Sequence, residues 1–236
     1  MPLSRRALLA AGIAAAYAGR AVAGTTTDLA VSCDVAAGPA VVAAAVAYRQ
    51  KTGVRIRVFP TQQGLLLPQL ERDIQNDIIV TQLTTIDRAE KEGLVEPGQR
   101  VGPWRNPLAI AMAANAPAGV FAVPDASPAS DIDGFAILRK LGTTTGRVVG
   151  VLNTEAVAWT MVNGGARQGL LHQTEIRADD RLRAVTAVPD DAWPPILYGA
   201  TVTKLAWRGD PAAFVGFLAS PEGQAVLLAA GLENAA

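Results

Sequence analysis

The sequence predicts an α/β fold with mainly parallel strands, because from Asp28 onward short β-branched runs alternate with amphipathic helical stretches, and glycine or proline marks most junctions. Roughly 213 residues follow a leader-like N-terminus, enough for one large core or two smaller lobes. Residues of hydrophobic type make up 50% of the chain, so the material for such cores is present.

Residues 29–33 read as the first strand. Gly38-Pro39 then opens a helix to about Lys51, since proline is tolerated in a first turn whose N–H groups have no helical partner, and Gly53 ends it before a strand at residues 54–59. Thr61-Gln62-Gln63-Gly64 forms a loop into a helix at residues 65–74. A short apolar strand follows at 77–80, of the kind buried on both faces, and a charged helix at 85–91. The Pro/Gly-punctuated stretch 97–107 reads as a crossing between lobes.

Strands are expected at 108–112, 120–123 and 148–152, with a helix at 133–141 closed by Gly142. Thr154 is placed to cap a helix at 155–162 that Asn163-Gly164-Gly165 ends. A strand at 169–171 comes next, and 182–188 is expected to run back toward the first lobe. Asp190-Asp191-Ala192-Trp193-Pro194-Pro195 is a rigid connection ahead of a strand at 196–202. Asp210-Pro211 and Ser220-Pro221-Glu222 each supply a capping side chain and an N1 proline, so two helices finish the chain.

Residues 1–23 read as a signal peptide. Arg5-Arg6 precede an Ala/Gly-rich run to Ala18 that is too short and weakly apolar to span a bilayer, and Ala21-Val22-Ala23 offers small residues for cleavage. The paired arginines resemble a twin-arginine signal, and a Sec leader would lead to the same compartment, the periplasm. Removing this segment takes away Arg5, Arg6 and Arg20 and no acid, which turns a balance of 21 bases and 21 acids into a formal charge of about −3. That balance, with no basic cluster interleaved with aromatics, disfavours nucleic acid. No glycine-rich phosphate loop follows the first strand, and no G-x-S-x-G, H-E-x-x-H or C-x-x-C motif is present, so neither an enzyme nor a cofactor is expected.

Four segments carry a resemblance: residues 43–53 (AAAVAYRQKTG), residues 87–98 (DRAEKEGLVEPG), the run Arg105-Asn106-Pro107-Leu108, and residues 214–231 (FVGFLASPEGQAVLLAAG). With the order of elements, they resemble the periplasmic molybdate-binding proteins, within the type II solute-binding proteins that serve ABC importers. The resemblance implies two lobes joined by two hinge crossings, residues 24–107 plus 195–236 forming one and 108–194 the other. It also implies a monomer that holds a small anionic or polar solute in the interlobe cleft and hands it to an ABC permease in the inner membrane. Helix N-termini facing that cleft suit a small anion, and hinge closure would exclude water.

At the positions that carry the family's ligands, this chain differs. The first ligand serine falls on Ala36, with Ser32 nearby, the second on Gln63, and the tyrosine on His172, so the resemblance implies a solute other than molybdate. An amide both donates and accepts, and an imidazole is neutral or cationic near neutral pH. The candidate ligand-binding residues are therefore Ser32, Cys33, Ala36, Gln62, Gln63, Asn153, Thr154 and His172. For Gln62 and Gln63 the bland alternative is a solvated loop; for Asn153 and Thr154 it is a helix cap, and Asp125 reads as a capping or hinge residue.

Three rival readings follow from the same residues. Cys33, Asp34 and His172 could form a soft site for copper or zinc, Cys33 and His172 could pair as nucleophile and base, and the same fold could serve a periplasmic enzyme or sensor as a binding partner.

Overall fold

The computed structural model describes residues 28–235 apart from 73, 75, 115, 117, 128, 129, 131, 144 and 145 and the side chain of Gln63, so the leader read in residues 1–23 lies outside the described residues. In chain order, β1 (Leu29–Asp34) leads through a 3-10 turn (Val35–Ala37) into α1 (Gly38–Thr52), followed by β2 (Ile56–Thr61), α2 (Gln63–Glu71), β3 (Ile78–Gln82), α3 (Leu83–Lys91) and β4 (Val101–Arg105). Then come β5 (Leu108–Ala113), β6 (Val120–Pro124), α4 (Gly134–Lys140), β7 (Arg147–Val151), α5 (Thr154–Val162), β8 (Gln168–His172), α6 (Gln173–Ala178) and β9 (Leu182–Ala187). The chain closes with β10 (Leu197–Val202), α7 (Pro211–Ala219), α8 (Pro221–Ala229) and β11 (Glu233–Asn234).

These strands build two sheets. One is six-stranded in the order β11-β4-β10-β3-β1-β2, and the other is five-stranded in the order β7-β6-β8-β5-β9. Both are mixed rather than mainly parallel. β1 runs parallel to β2 and β3, and β6 to β7 and β8, but β10 is antiparallel to β3 and β4, and β5 to β8 and β9. The antiparallel pairs arise where the chain enters or leaves a sheet at a crossing, because a strand returning from the other sheet has no helix to reverse its direction.

Each sheet is covered on both faces, which explains the unbroken apolar runs. All six residues of β1 are buried. One face of the first sheet packs α1, α7 and α8 through Val31, Ile78, Tyr48, Phe214, Phe217 and Leu227, and Tyr48 meets Phe214 edge-on at 5.2 Å between ring centroids. The opposite face holds Leu66, Leu70, Ile79 and Ile86 of α2, β3 and α3. In the second sheet α4 covers Phe121 and Val123, while α5 sets Val157 and Met161 against Ala111 and Ala122. Each such buried aliphatic or aromatic side chain contributes about 1.5–3 kcal/mol by leaving water.

Four local expectations differ from the structure. The stretch expected as a crossing contains β4, which pairs with both β10 and β11 although Gly102-Pro103 looked like a break. Residues 182–187 stay in the second sheet beside β5 instead of running back. Asn153, not Thr154, caps α5, its Oδ1 accepting the Ala156 N–H at 2.9 Å. α2 begins at Gln63, so the expected loop is already helix there.

The chain passes between the sheets after Arg105 and again between Ala187 and Leu197. Arg105 clasps the two crossings together through a two-pronged pair with Asp190, at 2.7 and 3.3 Å. Among the described residues no single helix is long and apolar enough to cross a membrane.

Candidate functional site

At the C-terminal end of a parallel strand the chain must turn into a helix, and the helix start carries N–H groups without helical partners. Several such ends meet between the two sheets. From the first come Asp34, Val35 and Ala36 at the end of β1, Gln62 after β2 and Gln82 at the end of β3, and from the second come Asn153 and Thr154 after β7 and His172 at the end of β8. Ser130 and Ile132, ahead of α4, and Ile196 and Tyr198 complete a cleft of about 390 Å³ including its mouth. The crevice thus lies outside the carboxyl ends of strands, where α/β sheets bind their ligands.

The caps differ in what they leave free. Asp34 accepts the Ala36 N–H at 3.2 Å and Asn153 occupies the start of α5, but neither Gln62 at α2 nor Gln82 at α3 makes a side-chain cap. The first turns of α2 and α3 therefore keep donors and the positive dipole end for another partner. No lysine or arginine is among the described residues that line the cleft.

Behind this wall, the two sheets are tied by a buried polar knot. Asn106, in the first crossing, donates from Nδ2 to the Ala36 carbonyl at 3.0 Å and to Thr174 Oγ1 at 2.9 Å, and the Thr174 hydroxyl donates to the same carbonyl at 2.5 Å. His172 sets Nδ1 at 3.0 Å from the Asn106 carbonyl oxygen, and its backbone N–H donates to Glu175 Oε2 at 2.9 Å. Burial holds the imidazole down to about 4, so the ring is neutral at physiological pH. Burial likewise pushes the Glu175 carboxyl up to about 7. The Thr154 hydroxyl lies near enough to favour its charged form, yet Oε1 has no hydrogen bond of acceptable geometry.

Of the residues singled out in the sequence, Ala36, Gln62, Asn153, Thr154 and His172 line the cleft together with Asp34, whereas Ser32 and Cys33 are buried within β1 and do not. Gln63 opens α2, but its side chain lies outside the described part. Asp125 is exposed, its carboxylate resting over Gly150. Sequence reasoning missed Gln82, Tyr198 and Ser130. Gln82 carried a usable signal, since it sits where an apolar strand hands over to a helix, the same junction that drew attention to Gln62.

Residues 29–233 match the family of bacterial extracellular solute-binding proteins. The chain belongs to that family. A comparison with curated proteins finds no significant match. Among solved structures, the solute-binding protein shares its fold with the periplasmic molybdate-binding protein of Azotobacter vinelandii, at 15% identity and a TM-score of 0.73 over 88% of this chain and 100% of the other. PEB3 of Campylobacter jejuni, in a structure with L-phospholactate bound, aligns at 14% identity and a TM-score of 0.66 over 88% of this chain and 100% of that one. Iron-bound HitA of Pseudomonas aeruginosa aligns at 18% identity and a TM-score of 0.56, over 86% and 84% of the two chains. Such different cargoes on one architecture mean that the fold leaves the solute open.

This is a family of binding proteins rather than of enzymes, and the structure corrects the two rivals built on Cys33. Among the described residues no group of three or more His, Cys, Asp or Glu side chains is placed to hold a metal ion. In the solute-binding protein Cys33 points away from Asp34 by strand alternation, into the core beside Ala37 and Ala40. Burial pushes its thiol up to about 12, so no nucleophilic thiolate forms there to pair with His172.

Proposed function

We propose that this chain is a periplasmic binding protein of an ABC-type importer, which closes two lobes on a small anionic or polar solute and delivers it to a membrane permease. The observation that carries the reading is the convergence of helix starts from both sheets on one cleft, with those of α2 and α3 uncapped. Residues 24–107 with 195–236 form one lobe and 108–194 the other, a division supported by the strands of each sheet. Ala36, Gln62, Gln63, Asn153, Thr154 and His172 contact the solute, joined by Asp34 and Gln82. The protein works as a monomer and is exported by the twin-arginine route.

A molybdate-binding protein shares this fold, but its cargo is not expected here. The cleft wall is hydrophobic at Ala36 and bears a carboxylate at Asp34, with no cationic side chain among the described lining residues to balance a tetrahedral dianion. A thermal-shift screen of the mature protein against oxyanions and small carboxylates tests the reading. A ligand that binds only the folded state adds about 2.7 kcal/mol at one hundred times its dissociation constant, which is a clear rise in Tm. No shift with any compound, together with unchanged small-angle scattering, would overturn it.

A further inference from the structure

Glu175 is buried in α6 behind the cleft wall, and only one of its two oxygens is matched. Oε2 accepts the His172 N–H at 2.9 Å, whereas the buried Oε1 has no hydrogen-bond partner. An ionised carboxylate with one oxygen buried and unmatched is costly, and an acid proton on that oxygen turns it into a donor. The Thr154 hydroxyl lies beside this carboxyl, on the residue that opens α5 and lines the cleft. The surroundings favour the proton: Asp34, at the end of β1, and Glu155, in the first turn of α5, are the charged groups that act on Glu175, and both add to the effect of burial. From β8 comes His172, which burial keeps neutral, while β5 has no titratable side chain and the bases of α1 lie in its last turn. Arg177 of α6 and Arg183 of β9 turn to the Ala229 carbonyl and to Met112 instead.

We propose that Glu175 sets the direction of the Thr154 hydroxyl and so couples solute binding to a proton. Protonated at Oε1, the acid donates to Thr154 Oγ1, and the single hydroxyl proton is free to donate to an acceptor oxygen of the solute. Ionised, the carboxylate claims that proton, and the solute meets only lone pairs at Thr154. An anionic oxygen therefore binds together with one proton, which passes from solvent to the Glu175 carboxylate and changes no bond of the solute. Glu175 is a positioning residue here, because it acts through Thr154. This rests on the reading of the cleft as the solute site and adds the regulation of that site.

Calorimetric titration with nitrate, sulfate, acetate and propionate tests this, since each offers acceptor oxygens, has no donor and keeps its charge from pH 6 to pH 8.5. The affinity of at least one of them falls about tenfold across that range, and titrations in two buffers of unlike ionisation heat show net proton uptake on binding. Glu175→Gln, whose amide donates to Thr154 at every pH, holds at pH 8.5 the affinity that the native protein has at pH 6. Thr154→Val loses the pH dependence, and Thr154→Ser restores it. An affinity independent of pH, or a slope that survives in Glu175→Gln or in a folded Thr154→Val, overturns the inference and leaves solute binding standing. Binding of none of the four also overturns it, and the wider thermal-shift screen then decides the solute-binding reading separately.

Discussion

The backbone N–H of His172 donates to Glu175 Oε2 at 2.9 Å, which brings into one helical turn an acid pushed up to about 7 and an imidazole pushed down to about 4. Burial is the largest cause of both, since a low-dielectric site disfavours carboxylate and imidazolium alike. Glu175 holds its proton more tightly folded than unfolded, so its contribution to stability is full in acid and declines as pH rises from 4.5 toward 7. His172 holds its proton less tightly folded, so its contribution is lost as pH falls from 6.5 toward 4. Between pH 4.5 and 6.5 the two slopes oppose each other.

Glu175→Gln removes one of the two. Relative to the native protein, the variant gains stability as pH rises from acid to above 7, by up to about 3 kcal/mol, and its own loss below pH 6.5 is steeper. Urea unfolding at pH 5 and pH 8 measures the difference. The same gap at both values would show that Glu175 does not titrate as described.

Asp77 is fully buried, and its oxygens collect the Ala30 N–H at 2.8 Å, the Trp207 N–H at 3.2 Å and the Arg208 guanidinium at 3.3 Å. It fastens the start of β1 and the loop after β10 to the start of β3. Asp77→Ala strands all three donors and is expected to lower stability by about 3–5 kcal/mol. A chemical denaturation midpoint within experimental error of the native one would contradict this.

Gly223 lies in the first turn of α8, where an added Cβ would stand 2.0 Å from the Phe217 carbonyl oxygen. No flexible side chain can yield there, because the obstacle is backbone. Gly223→Ala should therefore cost about 1–3 kcal/mol or more through displacement of α8 against α7, read as a fall in Tm. An unchanged Tm would mean the helix start has slack that the geometry denies.

Cys33 should resist alkylation in the native state. Its side chain is fully buried and its thiol is pushed up to about 12, so reaction with a maleimide requires unfolding. Labelling by mass spectrometry should follow the denaturation curve. Rapid labelling without denaturant would place the thiol at an accessible surface.

How much of this was legible depended on whether a residue's partner lay nearby in sequence. The strand at 78–82 and the capped helices after Asp210 and Ser220 declare themselves through apolar runs and cap chemistry. β4 does not, because Gly102-Pro103 offers no strand propensity and β10 and β11 supply the pairing. A loop entering a helix drew attention to Gln62, a helix start to Asn153 and the family resemblance to His172, and all three line the cleft. The knot behind them was invisible, since Thr174 meets the Ala36 carbonyl across 138 positions. The sequence reading took Cys33 as a ligand residue and Asp34 only as part of a metal site, the wrong way round; the two-residue period of β1 sends Cys33 into the core and Asp34 to the cleft.

The place of β10, wedged between β3 and β4, sets an order of assembly. Leu197–Val202 are made only after every strand of the other sheet, so β5 to β9 can pair among themselves while β3 still shows an open edge. The lobe that starts the chain is thus the last to be sealed, by pairings that span most of its sequence.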